Sequence, residues 1–69
     1  VRVFPNPTSG SIQLSKSIGQ AELFHINGMK LATFNTDESL NIDLDEYQAG
    51  SYLLRSLDGR VTQQIVLVK

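Results

Sequence analysis

Pro5 and Pro7 constrain this chain more than any other residues. They sit one residue apart in the run Val3-Phe4-Pro5-Asn6-Pro7-Thr8-Ser9-Gly10. Neither has a backbone N–H, and each drives the residue before it, Phe4 or Asn6, into extended geometry. A strand that enters this block cannot go on pairing through it and must leave its sheet. Gly10 is expected to supply the backbone freedom to re-enter as a second strand. The block therefore reads as a corner between two sheets.

The rest of the chain is patterned for sheets. Ile12 and Leu14 alternate with Gln13 and Ser15, and Leu40, Ile42 and Leu44 alternate with Asn41, Asp43 and Asp45. Tyr52 and Leu54 take one face of a further run, Leu53 and Arg55 the other. Such period-2 alternation marks half-buried strands. Ala21 to Ile26 is less clean, because Phe24 and Ile26 make its second face partly apolar. Turn signals come at Ser9-Gly10, Asn27-Gly28, Gly50 and Asp58-Gly59; Asn-Gly and Asp-Gly favour the positive φ of tight hairpins. The pattern predicts strands near 1–4, 11–15, 20–26, 30–35, 39–44, 51–57 and 60–68, with one helical turn at most between Leu44 and Gln48. The predicted fold is all-β, an immunoglobulin-like β-sandwich of about seven short antiparallel strands.

Size and composition narrow the chemistry. Residues 1–69 make one small domain, which buries only about 60% of the surface its unfolded chain exposes. No cysteine is present, so neither a disulfide nor a thiolate zinc site can staple it, and His25 is the one histidine. The 41% hydrophobic and 19% charged content is that of a folded domain. Net charge is −1, and Arg2, Lys16, Lys30, Arg55, Arg60 and Lys69 are scattered instead of forming the basic stripe of a nucleic-acid binder. No apolar run reaches the roughly 20 residues of a membrane helix. The chain opens on Val1, which suggests a piece of a larger protein with any export signal upstream.

Catalytic constellations are thin. His25 stands before Asn27-Gly28 with no nucleophile motif beside it and is expected to be exposed or capping. Asp43, Asp45 and Glu46 lie opposite the apolar Leu40/Ile42/Leu44 face, where solvated residues belong. They lack the Gly-containing acidic loop that assembles six to eight oxygens around calcium. Phe4, Phe24, Phe34, Tyr47 and Tyr52 could line a sugar-binding face. In so small a domain most are expected in the core, Tyr52 with its hydroxyl on a backbone partner. No metal, cofactor or enzymatic activity is expected.

Four blocks, taken in order, resemble the C-terminal sorting domain of the type IX (Por) secretion system. Phe4-Pro5-Asn6-Pro7-Thr8-Ser9-Gly10 is similar to the family's opening aromatic-Pro-Asn-Pro block; Leu23-Phe24 with Asn27-Gly28 resembles its central strand and turn. Ala49-Gly50-Ser51-Tyr52-Leu53 resembles its Gly-x-Tyr strand entry, and Ile65-Val66-Leu67-Val68-Lys69 its apolar, Lys-ending terminus. The chain departs from that pattern at His25, where an aspartate is common, at Tyr47, where a leucine is, and at Gln63 and Gln64, where a lysine often stands.

The resemblance implies a domain at the end of a larger secreted protein. A translocon would recognise it, with Pro5, Asn6, Pro7, Gly10, Gly28, Gly50, Tyr52, Ile65, Val66, Val68 and Lys69 as the recognition residues. A sortase-like protease would remove it when the upstream cargo is attached to the cell surface, reached through the periplasm and outer membrane. An accessory or carbohydrate-binding sandwich module of a secreted enzyme is the alternative. The run Ile65 to Val68 is also expected, if it forms a sheet edge, to pair with a second copy.

Overall fold

The computed structural model describes all residues, 1–69, as seven strands without a helix: β1 (Val3–Phe4), β2 (Ser11–Leu14), β3 (Gln20–His25), β4 (Lys30–Asn35), β5 (Asn41–Asp43), β6 (Gly50–Ser56) and β7 (Thr62–Leu67). They form a three-stranded sheet, β1-β2-β5, and a four-stranded sheet, β4-β3-β6-β7. Every ladder is antiparallel. The immunoglobulin-like sandwich and its strands stand where the alternation placed them. The stretch after Leu44 makes a single hydrogen-bonded turn, Tyr47 N–H to Leu44 C=O at 3.0 Å, and no helix.

The core follows from the period-2 rule. Its ten buried apolar residues fall into five pairs two residues apart: Ile12/Leu14, Ala21/Leu23, Ile42/Leu44, Tyr52/Leu54 and Ile65/Leu67. The first and third pairs come from the smaller sheet and the others from the larger, so the two inner faces close on each other. Tyr52, 4% exposed, is the one aromatic among them. Of the five aromatics, most of them expected in the core, Tyr52 alone lies fully inside it. Phe34 and Tyr47 pack at its margin, and Phe4 is 38% exposed. Phe24 lies on the outer face under the Arg55 guanidinium, 4.9 Å from ring centre. Nine of the ten core positions hold aliphatic side chains, which leaves little room for further rings.

Buried polar groups are each paired. Thr36 Oγ1 donates to Gly19 C=O at 2.5 Å and accepts from Ile18 N–H at 2.9 Å, tying the β2–β3 connection to the end of β4. Ser56 Oγ donates to Asp58 Oδ1 at 2.6 Å and accepts from Val61 N–H at 3.0 Å, which shapes the β6–β7 turn. The Ser56 hydroxyl, and then the Arg60 N–H, hold the Asp58 carboxyl below its ordinary value. On the outer face Lys30, 2.8 Å from Glu22 and its main partner, does the same to Glu22, with Arg55 at 3.7 Å adding to it.

A carboxyl whose folded value is depressed stabilises the fold above its unfolded value, and that contribution is lost as pH falls through the folded one. Thermal melting should therefore decline on the acid side of the ordinary carboxylate range. Asp58→Asn should flatten part of the decline in a melting-temperature series against pH. A variant as acid-sensitive as the parent would remove Asp58 from that account.

Candidate functional site

The Pro5–Thr8 segment crosses from one sheet to the other and lies along the outer edge of β7. Peptide bonds Phe4–Pro5 and Asn6–Pro7 are both cis. Between the prolines, the Asn6 carboxamide donates from Nδ2 to Gln64 C=O at 2.7 Å and accepts at Oδ1 from Val66 N–H at 3.0 Å. A carboxamide carries one acceptor and two donors in a plane, so it substitutes here for the peptide group a neighbouring strand would offer. Thr8 continues the contact with its own backbone. Its N–H donates to Val66 C=O at 2.9 Å, and its C=O accepts from Val68 N–H at 2.8 Å, a parallel bridge beside Leu67.

These four bonds satisfy the outward-facing groups of β7 from the Gln64 carbonyl to the Val68 amide. The terminal run is thus the last strand of its sheet, as the sequence suggested, but not an open edge. Its own N-terminal block covers it.

Thr8 anchors that block. It is 2% exposed, and its hydroxyl donates to Ser11 C=O while accepting from Gly10 N–H at 3.3 Å. Gly10 does not use the backbone freedom expected of it, since its φ is not positive; a Cβ there would meet only the carboxylate end of the exposed Asp45, which would have to turn aside. The Gly10 carbonyl accepts from Leu44 N–H at 2.7 Å, which seats the corner on the segment after β5. Lys69 Nζ donates to Asp45 C=O at 2.7 Å, so the terminal residue fastens to the same segment.

β6 backs the assembly. Gly50 pairs with Leu67 and Tyr52 with Ile65. Gly50 holds φ at +156°, a value side chains rarely adopt. The Tyr52 hydroxyl donates to Gln48 C=O, and its ring meets His25 edge-on with centroids 5.8 Å apart.

The structure thus gathers Pro5, Asn6, Pro7, Gly10, Gly50, Tyr52, Ile65, Val66, Val68 and Lys69 around the strap and the strand it covers. Gly28 stands apart, in the β3–β4 hairpin at φ +97°, where its N–H donates to His25 C=O at 2.8 Å. It helps line a cleft of about 230 Å³ with Phe24, His25, Ile26, Leu53 and Arg55. The parts Thr8 and Asp45 play in holding the corner have no signal in the sequence. A lone threonine between Pro7 and Ser9 carries no periodic signal, and Asp45 acts through its carbonyl.

Two of the polar side chains singled out in the sequence, His25 and Asp43, are engaged in turns. His25 Nδ1 accepts from Asn27 N–H at 3.2 Å, the capping role expected of it. Asp43 Oδ1 accepts from Asp45 N–H at 2.9 Å. No three histidine, aspartate or glutamate side chains come close enough together to hold a metal ion.

The chain is thus a small sandwich whose two ends are laced together. The chain belongs to the secretion system C-terminal sorting domain family, the sorting domain of type IX secretion, whose family model matches residues 2–69. No curated protein and no solved structure shows significant similarity to it.

Asn6→Ala should lower stability by about 1–2 kcal/mol, the usual worth of a pair of hydrogen bonds whose partners stay partly solvated. It should also speed hydrogen exchange at the Val66 amide and leave Ile65, which faces β6, protected. Exchange at Val66 no faster than in the parent would show that the carboxamide does not hold the edge. Tyr52→Ala, which empties a core position, should cost about 3–5 kcal/mol in urea unfolding.

Proposed function

We propose that residues 1–69 act in cis as an export signal: they carry a covalently attached upstream cargo across the outer membrane, and the translocon reads the strap together with β7. The observation that supports this most is the convergence of the family's opening and closing blocks on one ladder, Asn6 and Thr8 against Gln64, Val66 and Val68. Blocks at the two ends of the chain, 58 and 60 residues apart at the Asn6 contacts, form one surface only in the folded state. Recognition of that surface would couple export to correct folding of the label. In this reading a sortase-like protease then removes the domain as the cargo is attached to the cell surface, and the protein ends at the surface or in the medium.

The experiment is a fusion of residues 1–69 behind a periplasmic reporter in a cell with type IX machinery. The reporter should appear outside the cell and stay periplasmic when the translocon is disabled. Export that continues without the translocon would sink the reading. Removing Val66–Lys69 is a poor probe, because it also deletes the buried Leu67 and both Thr8 contacts. Lys69→Ala removes only the tie to Asp45 and should leave melting nearly unchanged while reducing export. Full export of Lys69→Ala would take that residue out of the address.

A further inference from the structure

A sandwich of two open sheets has four edge strands, and an exposed edge invites pairing with another chain. Three of the four are blunted here. β1 is two residues long and runs into Pro5 and Pro7. β5 is three residues long and ends at Asp43, with Asp45 just beyond. β7 lies under the strap. β4, six residues long, is bare: it pairs only with β3, and no backbone bond outside that ladder involves residues 30 to 34.

The direction of its free groups can be worked out. Thr36 N–H donates to Gly19 C=O at 2.9 Å, one step beyond the Gln20–Asn35 pair. Bonded and non-bonded pairs alternate along an antiparallel ladder. Phe34 and Ala32 therefore face β3, and the N–H and C=O of Thr33 and the N–H of Asn35 face outward. The Thr33 side chain is itself exposed.

From this edge we propose that two copies of the chain associate through β4, antiparallel about a two-fold axis at Thr33, and extend the four-stranded sheet into one of eight strands. Charge selects a second copy. The strand opens on Lys30 and is followed by exposed Asp37 and Glu38, so an antiparallel twin sets the basic end of each strand beside the acidic end of the other, and a parallel one would set like ends together. Side-chain size agrees with it. Centring on Thr33 places each Ala32 opposite the partner copy's Phe34, small against large, on the face that continues the core. Phe34 is only partly buried in the single chain, so pairing covers the rest of its ring. Each Thr33 exchanges two hydrogen bonds with its twin, the repeating unit of an isologous contact.

The test is sedimentation of purified protein from micromolar to about 1 mM, where weak edge pairing shows itself. The parent should shift from monomer to dimer across that range. Thr33→Pro deletes an outward N–H that the single chain does not use, so an edge strand tolerates it; it should be monomeric throughout. Thr33→Lys sets two ammonium groups face to face at the axis. Its dimer should be lost at low ionic strength and partly regained in high salt, as screening relieves the repulsion. Melting in the dilute range shows which variants fold, and should the proline variant not fold, the lysine variant decides the matter. A parent that stays monomeric to the top of the range overturns the proposal, as does association at parental strength in a folded Thr33 variant. No secretion machinery enters the measurement, so its failure would leave the sorting assignment standing.

Discussion

The planar carboxamide of Asn6, standing in for a missing strand, is the contact on which the rest of this structure depends. A chain of 69 residues without cysteine must close two short sheets over one core. Its terminal strand supplies Ile65 and Leu67 to that core but has a neighbour on one side only. Without the strap, the groups of Gln64, Val66 and Val68 on the other side would face water or another chain. With it, Asn6 and Thr8 lie along the strand from Gln64 to Val68, and the two sheets are joined through the corner as well as through packing. Domain stability is a small balance of large terms, so four such bonds add materially to the β6 ladder that seats the last strand.

The same arrangement explains why turn chemistry is so heavily used elsewhere. A small sandwich cannot bury enough apolar surface to tolerate unpaired polar groups. Thr8, Thr36 and Ser56 are the three buried polar residues, and each sits where a connection leaves one strand for the next. Their hydroxyls bond backbone groups of the connections. Asp43 and Asp58 do the same at exposed turns through backbone N–H groups two residues on. Of the acidic residues weighed for a metal site, Asp43 fixes a turn through its carboxylate and Asp45 holds Lys69 through its carbonyl, and His25 caps a hairpin.

Legibility differed by residue. Ile12/Leu14, Ile42/Leu44 and Tyr52/Leu54 announce themselves, because alternation is a local consequence of the strand's pleat. Phe24 misled: an aromatic's size argues for burial, yet Phe24 is on the outer face by register and is covered there by Arg55 instead, whereas Phe34 packs against the core. Gly10 was expected to lend backbone freedom, yet its φ is not positive, because the corner is turned by the prolines and the Thr8 contacts. The open edge expected of Ile65 to Val68 also failed. Nothing local to that run says that residues near the other end of the chain lie along it.

By itself the sequence determined the strands, their inward faces, the corner at Pro5 and Pro7 and the family to which the ordered blocks belong. Each of these rests on a short-range rule: side-chain alternation, the lost N–H of proline, or turn residues at fixed spacing. Only the tertiary structure decided which edges stay open, that Asn6 and Thr8 close β7, and that β4 is left bare. Edge pairing is set by which backbone groups find partners far away in the chain. Backbone groups are the same in every residue but proline, so the amino-acid pattern carries almost no trace of that choice.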